Sequence, residues 1–314
     1  MRALLSHRLA PVVAMAAIVV LLPLLFPSAY YYRVAALVFV FALASIGLNL
    51  LMGFAGQVSL GHAGFMGIGA YAVAIGPTHL GVPSWLSFMI GAALSALVAF
   101  AVGRPILRLK GHYLAVATLG FGLLLAIVFT NEARFTGGPD GMAVPRLVVF
   151  GFSVRGAQSW YWIIAASLLV GAVLALNLIE SPTGRALRAI HDSEVAARVL
   201  GIDVAKAKLA VFVVSAIYAS VAGSYFALLN GHITPDVSGF LRSIELVAMV
   251  VLGGMGSIAG SLVGAALLVV LPQTLTFLHD YEHMVLGLIV MAVMIFLRAG
   301  IVPTVANALA ARRA

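Results

Sequence analysis

The chain contains no cysteine, which excludes a disulfide framework, thiolate chemistry and any cysteine-based metal site. Lysine is nearly absent as well. Lys110, Lys206 and Lys208 are the only three in 314 residues, and none follows a glycine. The chain therefore lacks a GxxxxGK[ST] phosphate cradle, and it has no HExxH or GxSxG signature either. Charged residues make up 9% of the chain against 63% hydrophobic, more apolar surface than a soluble chain of this length can hide. Few charges fall centrally in the apolar runs, so a proton or sodium relay has little to run on. The energy for any transport comes from outside this chain.

What the sequence does have is apolar runs of about 20 residues, the length that crosses the hydrocarbon core. They fall at 9–26, 34–52, 58–76, 85–103, 113–130, 160–179, 207–229, 241–253, 258–278 and 284–298. This predicts an all-α polytopic integral membrane protein with about ten transmembrane helices, in one transmembrane domain over 1–314. Arg2 and Arg8 ahead of the first run resemble a signal peptide, but Ser28-Ala29 is a poor cleavage site, so an uncleaved first span is expected. The formal charge of +8 would suit nucleic acid, yet the basic residues lie mainly between spans, where they orient the chain. With the N-terminus cytoplasmic, Arg33, Arg134, Arg146, Arg155 and Arg242 fall outside and the other 13 of the 18 Lys and Arg fall inside. Both termini are then cytoplasmic. Tyr30–Tyr32, Trp85, Trp160–Trp162 and Tyr281 all fall at outer ends, where interfacial aromatics belong.

The longest polar interruption is 181–208, SPTGRALRAIHDSEVAARVLGIDVAKAK, between the sixth and seventh spans. It carries the start and stop signals of folded structure. Ser181 can cap a first short helix, with Pro182 at the position where its missing N–H costs nothing. Asp192 or Ser193 can cap a second, with Val195, Val199 and Leu200 on one side and Glu194 and Arg198 elsewhere. Gly201 follows, where a left-handed helix stop is expected, and Asp203 can cap the next span. A pair of short cytoplasmic helices results, offering a surface to an aqueous partner.

Two glycine-rich stretches match at an offset of 200 residues: Gly53, Gly56 and Gly64 in GFAGQVSLGHAG, and Gly253, Gly256 and Gly264 in GGMGSIAGSLVG. Tight turns or close helix packing would account for them. So would discontinuous helices whose exposed backbone lines a substrate path, and Asn49, Gln57, Ser59 and His62 gather around the first stretch. Three glycines are thin support for a duplication. Taken alone, His62 reads as a hydrogen-bonded packing residue. Glu245 and Arg242, one helical turn apart, read as a pair at the outer interface. His279 and His283 have a metal-sharing spacing if helical, but no third ligand accompanies them and a solvated loop explains them. TGGPDGM at 136–142 reads as a turn or a docking loop.

The stretches NLLMGFAGQVSLGHAGFMGIGAY (49–71), FTGGPDGM (135–142), SPTGRALRAIHDSEVAARVLGI (181–202) and VLGGMGSIAGSLVGAALL (251–268) resemble the membrane-spanning permease subunit of bacterial ABC importers for branched-chain amino acids, the second of that system's two permease types. The resemblance implies a multi-pass protein of the inner membrane that is not itself an enzyme. It implies a second permease subunit, two cytoplasmic ATPase subunits holding ATP and Mg, a periplasmic substrate-binding protein, and no nucleic acid. It also makes 181–208 the coupling element, with Arg185, Arg188, Glu194, Ala196, Ala197 and Gly201 as its residues and the two alanines as a small-residue docking face. In the EAA-x-x-x-G pattern of such loops, Ala196, Ala197 and Gly201 fit, while Val195 stands at the glutamate position and Glu194 one residue earlier. A path for leucine-like zwitterions needs backbone dipoles and apolar walls, and Asn49, Gly53, Gly56, Gln57, Ser59, His62, Gly253 and Gly256 are its candidates. Permeases for urea or short amides share these motifs. Outside the family stand an ATP-independent transporter or channel, and an intramembrane enzyme around the histidines, for which no nucleophile–base set is legible.

Overall fold

A computed structural model describes residues 2–109, 111–149, 152–274, 282–297 and 299–311. Lys110, His279, Tyr281, Arg298, Arg312 and Arg313 lie outside the described residues, as do the side chains of Arg2, Arg8 and His283. In chain order the helices are α1 (Arg2–Leu21), α2 (Ala29–Asn49), α3 (His62–His79), α4 (Ser84–Ile106), α5 (His112–Asn131), α6 (Ala133–Thr136) and α7 (Ala157–Glu180). They continue with α8 (Pro182–Asp192), α9 (Glu194–Val199), α10 (Val204–Asn230), α11 (Phe240–Gly253), α12 (Ile258–Thr274), α13 (Glu282–Phe296) and α14 (Ile301–Ala311). Among the described residues, each apolar run of the sequence overlaps a helix. Among the described residues, six apolar stretches are long enough to cross a membrane: Ala29–Phe54, Ser84–Ile106, His112–Asn131, Ala157–Glu180, Val204–Asn230 and Gly287–Ala308.

The centre of the bundle is α10, packed against α2, α3 and α4. Lipid gives helices no hydrophobic reason to associate, so close approach depends on small residues. A Cβ on Gly69 of α3 would sit 2.0 Å from the carbonyl oxygen of Ser220, and one on Gly223 of α10 would sit 2.0 Å from that of Met66. The two backbones therefore touch. Buried tyrosines tie further helices in: Tyr218 Oη donates to the Gly171 carbonyl at 2.7 Å, and Tyr161 Oη to the Val19 carbonyl at 2.5 Å. Exposed apolar residues such as Leu97 on α4 and Leu124 on α5 lie on the outside of this core, which is what lipid-facing helices present.

The bundle has two distinct ends. At one lie α8 and α9. At the other, β1 (Met142–Ala143) pairs antiparallel with β4 (His232–Ile233), and β2 (Val148–Val149) with β3 (Phe152–Ser153). TGGPDGM belongs to this second end and is a built turn. Thr136 Oγ1 donates to the Phe129 carbonyl at 2.7 Å, and Gly141, at φ +73°, lies so close to β4 that a Cβ would meet the Ile233 oxygen at 1.9 Å.

Candidate substrate path and coupling surface

The signals in 181–208 fold as their chemistry dictates. Ser181 Oγ accepts from the Gly184 N–H at 3.3 Å and Pro182 opens α8. Leu187 and Ile190 turn inwards, while Arg185 and Arg188 stay exposed. Of the two possible caps for α9, Ser193 is the one used, accepting from the Ala196 N–H at 3.3 Å. The helix then stops in a Schellman motif: Ile202 N–H bonds the Ala197 carbonyl at 3.0 Å, Gly201 N–H bonds that of Arg198 at 3.0 Å, and Gly201 has φ +81°. Asp203 Oδ1 accepts from the Lys206 N–H at 3.1 Å and caps α10. Hydrogen bonds from the Lys206 side chain and backbone hold the Asp203 carboxyl below its usual pKa.

Two residues of this element sit differently from expectation. Ala197 is not on an outward docking face. It is 1% exposed, packed with Ile190 and Val204, because the short α9 must lay one side on α8 and α10 and only a small side chain fits there. Glu194, displaced from the usual pattern, pairs with Lys208 of α10, which is 7% exposed, and more loosely with Arg198 at 3.8 Å. With Glu194 and Ala197 facing inwards, Val195, Val199 and Leu200 are left 72%, 82% and 76% exposed. Ala196 is exposed beside them.

The first glycine stretch lies against α8. A Cβ on Gly56 (φ +65°) would meet His191 Nδ1 at 3.0 Å, and the Arg188 guanidinium lies 5.9 Å from the Phe54 ring centre. The stretch is a turn between antiparallel helices. α2 ends in a π turn at Leu50–Phe54, and the chain reverses before α3. The second stretch likewise turns α11 into α12, and Gly256, at φ +77°, repeats the backbone of Gly56. The two turns are bolted together. Asn49 Oδ1 accepts from the Gly256 N–H at 2.8 Å, and its Nδ2 donates to the Ser257 carbonyl and to Ser261 Oγ, each at 2.9 Å. Gly53 is packed so closely that a Cβ would lie 2.3 Å from Gly256 N, while Gly253 stands against the Gly260 carbonyl at 1.9 Å on the same measure.

Behind the first turn lie buried polar groups. His62 is fully buried, its Nε2 at 2.8 Å from Ser215 Oγ. Its Nδ1, the Gln57 amide and the Ser59 hydroxyl are buried and find no hydrogen-bond partner among the described residues. The structure thus brings Asn49, Gly53 and Gly256 into one clamp, with Gly253 at its edge, and buries Gln57, Ser59 and His62 outside its bonds. His191, Lys208, Ser215, Ser257 and Ser261 complete these arrangements, and no local sequence signal marked them. Arg242 Nη1 and Glu245 Oε2 pair at 2.5 Å, as their spacing predicts.

A bundle of long apolar helices joined by buried polar turns is the construction of a multi-pass membrane protein. The chain matches the family model for the branched-chain amino acid transport system permease component over residues 30–294. It is 33% identical over 294 residues to the high-affinity branched-chain amino acid transport system permease protein LivM of Escherichia coli, covering 86% of this chain and 69% of that protein. It is 28% identical over 250 residues to LivH of Salmonella typhimurium and 31% identical over 246 residues to BraD of Pseudomonas aeruginosa, each match covering 73% of this chain and 79% of the relative. No solved structure matches. The chain belongs to the branched-chain amino acid transport system permease family.

Proposed function

We propose that this chain is the LivM-type permease subunit of an ATP-driven importer, working beside a second permease, two cytoplasmic ATPase subunits and a periplasmic binding protein in the inner membrane, and carrying aliphatic amino acids inwards. The observation that carries the reading is the α8–α9 pair. It presents Val195, Val199 and Leu200 to the aqueous phase on a helix pinned by Ala197 and Glu194, and its other side touches the Gly56 turn through His191. An apolar patch on a rigid mount suits docking into a partner cleft. ATP-driven closure of that partner moves α8. The motion passes through Gly56 to the Asn49 clamp and so to both turns at once, biasing a two-state element. Gln57, Ser59 and His62, buried with unused polar atoms, are the groups such a rearrangement exposes to substrate. We place α8 and α9, with both termini, on the cytoplasmic side of about ten spans.

The test is reconstitution. The five-polypeptide complex in proteoliposomes should accumulate leucine only with ATP, and this chain alone should move none and bind no ATP. Uptake by the chain alone would establish a secondary transporter or channel, and a preference for urea over leucine an amide permease. Single cysteines at Gln158 and Val199, on a cysteine-free background, should be labelled by an impermeant reagent from outside and inside respectively. The reverse pattern would overturn the orientation.

A further inference from the structure

A cavity of about 420 Å³ opens among α2, α10, α11 and α12, near the end of the bundle away from α8. Its volume lies within the range of small-molecule sites. Its wall holds the Arg242–Glu245 pair, and the guanidinium stands 5.1 Å from the Phe41 ring centre and 5.8 Å from that of Phe226. The rest of the lining is mainly aliphatic, with Leu268 and Val269 on α12. Asn230 and Gln273 line it too, tied back by Arg33 at 3.0 Å and by Tyr30 at 2.5 Å.

A simple interfacial ion pair needs no cavity beside it. Here Arg242 spends Nη1 on Glu245, while its Nε is buried with no hydrogen-bond partner among the described residues. A guanidinium offers five donors in a planar fork suited to a carboxylate, and Arg242 brings that fork to the wall of an apolar hollow. Glu245, one turn deeper on the same helix, supplies the opposite charge. The site is neutral overall and locally bipolar. A ligand bearing a carboxylate and an ammonium on one carbon replaces the ion pair's own contacts with two charge-assisted ones, and its side chain falls against the aliphatic wall. A net-charged amino acid leaves one charge uncompensated in a poorly solvated place. Urea has no full charge to give back for disturbing the pair.

We propose that this cavity is a binding site for a neutral zwitterionic amino acid with an aliphatic side chain, held by Arg242 and Glu245. The proposal rests on the importer reading above, and places a substrate stop at the opposite end of the bundle from the Asn49 clamp.

The test uses Val269→Cys in the assembled complex, following thiol labelling of this chain alone. Millimolar leucine should slow labelling at least threefold, with lysine and urea without effect. Glu245→Gln, close to isosteric, should abolish leucine protection while leaving the unliganded labelling rate unchanged. Absence of leucine protection in a complex that still takes up leucine overturns the site and leaves the importer reading standing. So does protection that survives Glu245→Gln. Uptake of urea but not leucine, with urea slowing the labelling, overturns both.

Discussion

The tie between Glu194 and Lys208 makes an asymmetric prediction. Removing one partner of a buried ion pair costs about 3–5 kcal/mol, because the other charge is left uncompensated. Lys208 is 7% exposed and Glu194 27%, so the two truncations differ. Glu194→Gln strands a buried ammonium, whose four-carbon stem can swing part of the way to water. We take about half the full penalty, about 2 kcal/mol, which is about 30-fold in the ratio of docked to undocked α9. Lys208→Met keeps the apolar volume and leaves Glu194 to solvent and to Arg198, 3.8 Å away, at under about 1 kcal/mol. The double variant should resemble Lys208→Met. Arg198, with a 61% exposed side chain, supplies the assay: tryptic cleavage there, with opening fast relative to cutting, reads the undocked population. Expected rates are about 30-fold above wild type for Glu194→Gln and within about fivefold for the other two. Coupled ATP hydrolysis by the complex should fall in the same order. A double variant as cleavable as Glu194→Gln refutes the reasoning, since no stranded charge then remains to explain the loss.

Gly201 has φ +81° and open space around its would-be Cβ, so Gly201→Val should lose about 1–3 kcal/mol through backbone strain alone. Gly201→Asn should lose little. Membrane insertion should be normal in both, with coupled ATP hydrolysis lost only in the first. Gly53→Ala drives a Cβ to 2.3 Å from Gly256 N and 2.2 Å from Asn49 Oδ1. It should cost about 1–3 kcal/mol of overpacking, read as a lowered melting temperature in detergent. The depressed pKa of Asp203 means that its contribution to the α10 cap is complete above the ordinary carboxylate range and is lost as pH falls through the lowered value. Asp203→Asn should flatten that acid-side loss of protection at Arg198.

Local chemistry was legible in the sequence wherever a residue's partner lies within one turn of it. The caps at Ser181, Ser193 and Asp203, the left-handed stop at Gly201 and the Arg242–Glu245 pair are all of that kind. So are the helix positions, because apolar length is itself a local property. What could not be read were contacts between distant residues. Nothing near Asn49 announces Ser261, and nothing near Gly56 announces His191. Ala197 illustrates the same limit from the other side. A small residue is chosen equally by an outward docking surface and by a tight inward contact, and only the position of α10 separates the two. The apolar face of α9 points to solvent for the same reason: Glu194 and Ala197 claim the inner side first.

The Asn49 clamp also sets a timetable for synthesis. Ser261 emerges 212 residues after Asn49, which at about 5–20 residues per second is a delay of about 10–40 s. Until then the amide of α2 has none of the partners that satisfy it in the finished bundle, and an unsatisfied polar group in hydrocarbon costs several kcal/mol. The bonds of the clamp therefore form only after the early helices have been made. The bond set that α2 opens is closed only when the turn before α12 and α12 itself have followed it out of the ribosome.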